Sequence, residues 1–363
     1  MLINFRKDLI KDFLHAGHRV YVVNTDGSSE ESITQLGARV LNLRLKSNQI
    51  RPLSDLSFYF SLKRALKLLK PDIVMNYNLK PILIGTYAAR KAGINEVYST
   101  VTGLGYFFID SARRKRLSAR LLSWVMNSAL MKNDKVFFQN RDDVSDLVKK
   151  ECIKKKSVVI NGSGVNMGEF PFTQIPKKFS FIMISRLLKD KGVLEYFRAC
   201  DIVRKKYPNV LCKFVGGFDS NPSSLDMEEV SSYFEKGIVQ YLGEQSEVYP
   251  YLRSSSVLVL PSYREGVPRV CLEAMSTGRP LITTDVPGCR ETVDHGKNGF
   301  LVPPRDATSL AERMIWMIEN ADALEYMGKE SRRICEEKFD VRKVNMKIIE
   351  VLNLDHSSHK GSG

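Results

Sequence analysis

Two glutamates, Glu265 and Glu273, stand eight positions apart in the stretch PSYREGVPRVCLEAMSTGRP, residues 261–280. SVLVLPS (256–262) reads as a buried strand, YREGVP as a turn, and PRVCLEAMSTG as a helix. Pro268 suits the first helical turn, where a missing N–H does no harm. Glu273 then lies about five residues, or ~7.5 Å, into the helix. Glu265 sits in the turn, with Gly266 behind it so that backbone can come close to a ligand. Gly266, Val267 and Pro268 aim helix-start amides at the same place. Two carboxylates at different depths of one pocket accept hydrogen bonds from hydroxyls, the groups that sugars supply. A glycosidase-like acid and nucleophile is the rival chemistry. The cations nearby favour a diphosphate instead, which a glycoside lacks.

Those cations are Arg186 and Lys191 in SRLLKDKG, which leaves the strand FSFIMIS (179–185). Two positive side chains near a helix start suit a diphosphate; taken alone, the segment is equally a solvated charged turn. In VGGFDSNP (215–222), Gly216 and Gly217 allow a close backbone approach, which a tight turn would explain as well. QYLGEQSEVYPYL (240–252) has Leu242 and a glycine between a strand and a short helix, a loop able to hold a nucleobase through its backbone. The signal is their common placement: cations, glycines and carboxylates all follow strands of one sheet.

The elements that must position them alternate. RVYVVN, ARVLNL, DIVMNY, EVYSTV, KVFFQN and SVVING read as strands separated by helices such as LSFYFSLKRALKLLK (56–70) and KPILIGTYAARKAG (80–93). After the polar segment FTQIPKK (172–178) the pattern restarts and ends in helices running to about residue 353. This is an α/β chain of two doubly wound, Rossmann-like domains facing a cleft. The expected division is 1–171, 172–340, and a C-terminal helix with a polar tail over 341–363, the helix packing back on the first domain. Ligands of such sheets bind beyond the carboxyl ends of the strands, here in the cleft between domains.

Bulk properties narrow the partners. The 363 residues are 43% hydrophobic and 26% charged, with a net charge of +14. Residues 1–175 hold 28 Lys/Arg and 15 Asp/Glu, a net of +13, and the remainder 27 and 26, a net of +1. A basic half calls for an anionic partner: nucleic acid, acidic lipid or a phosphorylated substrate. Nucleic acid is set aside, because no binding module or interleaved aromatics appear. No apolar stretch is long enough for a bilayer span and the start forms no signal peptide, so a cytoplasmic location is expected. Six scattered cysteines without a CxxC pair read as buried, reduced thiols. In DSARRKRLSARLLSWVMNSALM (110–131), Arg113, Arg114, Lys115 and Arg116 precede an apolar helix carrying Trp124. That pattern suits an anionic membrane surface, or a core helix with a basic start.

The E-x7-E of Glu265 and Glu273, within PSYREGVPRVCLEAMSTGRPLITTDVPGCRETV and NGFLVPP, resembles the retaining GT-B glycosyltransferases of family 4. SRLLKDKGVLEYFRA resembles that family's phosphate-binding segment and VINGSGVNMGEFPF its domain crossover. KPILIGTYAARKAG and STVTGLGYFF resemble members that extend lipid-linked bacterial surface glycans. The resemblance implies that Glu265 contacts the donor sugar, Glu273 the nucleotide ribose, and Arg186 and Lys191 the donor diphosphate. It also implies that Gly216, Gly217, Leu242, Gly266, Val267 and Pro268 line the donor site, and that Thr102, Gly103 and Gly105 lie on the acceptor side. With no Asp-x-Asp in the chain, no metal or other cofactor is expected. The implied activity is retaining transfer from a UDP-sugar, N-acetylgalactosamine or galactose first, to an undecaprenyl-diphosphate-linked glycan of O-antigen or capsule. The protein would then sit peripherally on the inner face of the cytoplasmic membrane. A UDP-sugar epimerase of the same architecture, or an inactive truncated relative, is the alternative. The family's first strand and glycine-containing loop precede the segment resembling NFRKDLIKDF, yet three residues precede Asn4 here. An upstream extension is therefore expected to raise stability or activity.

Overall fold

The computed structural model describes residues 2–25, 27, 30–43, 45, 52–104, 116–148, 150–219 and 223–354. They form two compact units. Unit 1 takes the described residues within 1–104, 110–163 and 341–363, and unit 2 those within 164–340.

Unit 1 alternates strand and helix. Helix Leu2–His15 leads to β1 (Tyr21–Asn24), and helix Glu30–Gln35 to β2 (Arg39–Asn42). Helix Pro52–Leu69 precedes β3 (Ile73–Tyr77), and helix Leu79–Ala92 precedes β4 (Glu96–Val101). Helix Arg116–Met131 leads to β5 (Lys135–Phe138), with β6 at Ser157–Val159. Pairing is parallel throughout, β1 with β2 and β3-β4-β5-β6 in order. Local signals explain the ends. Gly93 adopts the left-handed conformation (φ 90°) that closes helix Leu79–Ala92. Asn140 caps helix Arg141–Leu147 by accepting from Asp143 N–H at 2.7 Å. Helix Val341–Val351 belongs to this unit. Val344 and Ile348 pack in one cluster with Leu9, Phe137 and Ile160, and Asn345 donates to Asp12 at 2.6 Å.

Unit 2 has one six-stranded sheet, whose strands are β7 (Ser180–Ile184), β8 (Leu211–Val215), β9 (Gln240–Tyr241), β10 (Val257–Leu260), β11 (Leu281–Thr284) and β12 (Gly299–Val302). Their order is β12-β11-β10-β7-β8-β9, all parallel. Order therefore reverses between β7 and β10, which makes their carboxyl ends the topological switch point. The run Val-Leu-Val-Leu of β10 is buried at every position, as in a strand covered by helices on both faces.

The structure differs from the sequence reading in several places. The polar segment 172–178 lies inside unit 2 rather than at its edge. Buried Arg279 donates to the carbonyls of Thr173 (2.9 Å) and Gln174 (3.0 Å), so this stretch is held within unit 2. The change of unit falls at Ser163–Gly164, and Val165 N–H bonds Phe339 O at 2.8 Å just beyond it. The strand leading into the 240–252 loop is confined to Gln240–Tyr241, with Gly237 (φ 63°) and Gly243 (φ 69°) breaking the extended chain on either side. Five cysteines are buried free thiols, but Cys152 is exposed. The tail from residue 355, with Gly105 and the basic residues Arg113, Arg114 and Lys115, lies outside the described residues.

Candidate active site

The loops after β7, β8, β9 and β10 leave adjacent strands of one sheet edge-on to the switch point. After β7, Lys189–Lys191 form a single 3-10 turn closed by Gly192 at φ 72°. A Cβ on Gly192 would collide with the carbonyl of Pro261, so glycine there lets the β7 loop press against the β10 loop. That approach places the Lys191 ammonium on the Glu265 carboxylate as a largely buried ion pair. Burial by itself would lower the Lys191 pKa; the neighbouring Glu265 carboxylate outweighs it and leaves the pKa raised. Lys191 is therefore a fixed cation.

The Glu265 turn is tied on both sides. Its own N–H bonds Pro287 O at 3.1 Å, and Tyr263 N–H bonds Asp190 O at 2.9 Å. The Tyr263 hydroxyl donates to Glu195 at 2.8 Å, and Arg305 lies over the Tyr263 ring, 4.6 Å from its centroid. Gly288 (φ 81°) faces the carbonyls of Glu265 and Gly266, where a side chain would not fit. Neighbouring loops thus fix the Glu265 carboxylate in place before any ligand arrives.

Arg186 opens the β7 loop and forms an ion pair with Asp219 at 2.5 Å. Gly216 and Gly217 bring the β8 loop alongside. A Cβ on Gly216 would strike the carbonyl of Ser185, and Leu187 N–H bonds Gly217 O at 2.9 Å. Gly216 N–H bonds Gly243 O at 2.9 Å, and Leu242 N–H bonds Phe214 O at 2.9 Å, which extends the contact to the β9 loop. The glycines thus serve loop-to-loop packing at the strand ends.

Pro268 is the residue before helix Arg269–Ser276, with extended ψ (115°), rather than a member of its first turn. Glu273 is the helix's fifth residue, is only 8% exposed, and accepts from Arg269 Nε at 2.8 Å. Burial raises its pKa against the opposing pull of Arg269. Each of the two glutamates thus carries its own cation. Sequence reasoning missed Asp219, Arg269, Tyr263 and Glu195. Arg269 was readable from its i,i+4 spacing to Glu273. The other three are ordinary loop and helix residues until folding joins them.

In unit 1, Thr102 and Gly103 follow β4. The Thr102 hydroxyl donates to Asn78 Oδ1. Asn78, a non-glycine at φ 70°, is held in a sparsely populated conformation at the start of helix Leu79–Ala92. Arg116 opens helix Arg116–Met131, on which Trp124 is 66% exposed.

Residues 168–334 match the family model described as glycosyl transferases group 1, and residues 4–140 match the glycosyl transferase 4-like model. The chain belongs to the family 4 glycosyltransferases. This glycosyltransferase is 28% identical, over 88% of its length and 87% of the relative's, to an N,N'-diacetylbacillosaminyl-diphospho-undecaprenol alpha-1,3-N-acetylgalactosaminyltransferase of Campylobacter jejuni. It is 27% identical, over 80% of its length and 77% of the relative's, to an Escherichia coli UDP-Gal:alpha-D-GlcNAc-diphosphoundecaprenol alpha-1,3-galactosyltransferase. Its fold is GT-B. Anabaena Alr3699/HepE, solved in complex with UDP-glucose, superposes with a TM-score of 0.78 at 19% identity, covering 96% of this glycosyltransferase and 95% of that chain.

Proposed function

We propose that this glycosyltransferase moves a single sugar, N-acetylgalactosamine or galactose, from a UDP-sugar to an undecaprenyl-diphosphate-linked glycan, with retention and without a metal. The observation that carries the reading is the Lys191–Glu265 pair across the switch point, with Arg186 on the same loop. The names of the two relatives supply the sugar and acceptor class.

Chemically, the bond between the sugar's anomeric carbon and the diphosphate oxygen breaks, and negative charge grows on the leaving phosphate. Lys191 and Arg186 are positioned to stabilise that charge, which is where preorganised cations accelerate transfer. The acceptor hydroxyl forms its bond to the anomeric carbon on the face the diphosphate leaves, and its proton passes to a leaving phosphate oxygen. Glu265 accepts a hydrogen bond from a hydroxyl of the donor sugar, and Glu273 one from a hydroxyl of the ribose. Thr102 and Gly103 serve the acceptor, and the protein works at the inner face of the cytoplasmic membrane.

The test incubates purified protein in detergent with a panel of UDP-sugars and a short polyprenyl-diphosphate-linked acceptor, read by mass spectrometry. The reading predicts one added hexose or N-acetylhexosamine, lost in Glu265→Ala and Arg186→Ala. Interconversion of a UDP-sugar without acceptor would replace it with an epimerase.

A further inference from the structure

Helix Pro52–Leu69 has two apolar faces, and the fold uses one. Phe58, Leu62 and Leu66 point inward and pack with Ala88, Ala89 and Val97. The opposite stripe is left to solvent: Leu53 is 87% exposed, Leu56 54%, Phe60 56% and Leu68 77%. These positions follow helical spacing (i, i+3, i+7, i+15), so they share one side. Arg64 and Lys67 are exposed and continue the same stripe toward the helix's end. From Leu53 to Leu68 it runs ~22 Å.

The charge pattern selects the occupant. The helix holds one acid, Asp55, and it turns into an ion pair with Lys80 at 2.6 Å, both side chains largely buried. The outward stripe therefore carries apolar and basic side chains, with the small hydroxyls of Ser57 and Ser61 among them, and no acid. It belongs to the half of the chain whose net charge is +13. A second copy of this face would set cation against cation or cation against leucine. A bilayer with acidic headgroups satisfies both, taking the apolar side chains among its acyl chains and the bases at its phosphates.

We propose that the outward face of helix Pro52–Leu69 docks this protein on an anionic lipid bilayer. The inference rests on the lipid-linked acceptor reading and names the surface that would bring the enzyme to such an acceptor. Among the described residues no helix is long and apolar enough to cross a membrane, so the contact is with one leaflet.

The experiment is vesicle flotation of the full chain, without nucleotide or acceptor, using phosphatidylcholine alone and phosphatidylcholine with phosphatidylglycerol at about 7:3. Wild type is expected to float with the acidic vesicles. Leu53→Glu/Phe60→Glu should lower partitioning at least about tenfold with an unchanged melting temperature, because both side chains are exposed. Arg64→Gln/Lys67→Gln should lower it about fivefold per charge removed, and Tyr326→Glu in unit 2, also exposed, should leave it unchanged. Equal flotation of wild type and variants overturns the proposal. So does equal binding to neutral vesicles, or a wild-type dimer that Leu53→Glu/Phe60→Glu splits. Transfer in detergent is read separately. Transfer retained without vesicle binding overturns the surface alone. Vesicle binding without transfer upholds the surface and counts against the acceptor reading.

Discussion

Unit 2 carries its six strands in one unbroken parallel sheet, while the described strands of unit 1 fall into a pair, β1-β2, and a quartet, β3-β4-β5-β6. The cores follow suit. A single cluster in unit 2 runs from Val165 to Phe339, through Phe181, Phe214, Leu258 and Met275. Among the described residues of unit 1, buried apolar side chains gather in groups around Leu9 and Ile348, around Phe58 and Ala89, and around Ile10 and Val22. The site loops differ in the same sense. Those of unit 2 are cross-tied through Gly192, Gly216, Tyr263 and Gly288, whereas in unit 1 Thr102 leans on Asn78. A continuous sheet lets neighbouring strand ends brace one another, and that bracing holds a buried ion pair ready for a charged ligand.

If unit 2 carries the chemistry, Lys191→Ala should lower kcat/KM about 100-fold or more, the scale of losing one preorganised charge at a reacting phosphate. Thr102→Ala in unit 1 should cost about tenfold at most and appear in the acceptor KM. Steady-state kinetics on both variants would break the comparison if the two losses came out equal.

Stability sharpens the contrast next. Arg279 is fully buried and fastens Thr173 and Gln174 to unit 2. Burial pushes its pKa down to about 10, so it remains charged at neutral pH. Arg279→Met should destabilise the protein by about 3 kcal/mol, because charge-assisted bonds are lost and carbonyls are left unpaired. Urea unfolding measures it, and a change below about 1 kcal/mol would show that the segment 172–178 needs no such anchor.

A smaller effect lies in Glu273. Its carboxyl has a raised pKa, so it takes up its proton at a higher pH than an ordinary glutamate. Donor binding that depends on the ionised form weakens as pH falls through that raised value. Glu273→Gln should raise the donor KM about tenfold at neutral pH and flatten its rise in acid. A wild-type donor KM that stays constant down to the ordinary glutamate range would remove Glu273 from the ribose contact.

Least of all, Asp219→Asn takes the counter-charge from Arg186. With half of the Arg186 side chain exposed, the pair is weak. The donor KM should fall about two- to fivefold, and an increase would mean that Asp219 orients Arg186 rather than competing with the donor.

Much of this was legible in the sequence, for identifiable reasons. Strands such as Val257–Leu260 announce themselves by an unbroken apolar run, and Arg186 and Lys191 by following such a strand. Glu265 and Glu273 were legible as site candidates from their spacing around Gly266 and Pro268. What stayed hidden depends on distant partners. Nothing local to Asp219, 33 positions from Arg186, or to Glu195, 68 positions from Tyr263, says that they meet. Arg279 reads as a surface base until the chain of residues 173–174 folds over it. The strand Gln240–Tyr241 is short because Gly237 and Gly243, at positive φ, end the extension around it.

The central claim is that the nucleotide sits on the strand ends of unit 2. Hydrogen exchange with and without UDP tests it most directly. The account predicts slowed exchange over 185–192, 216–219, 242–245 and 261–268, lost in Lys191→Ala, with the amides of unit 1 unchanged. Protection confined to unit 1, or none at saturating UDP, would contradict it.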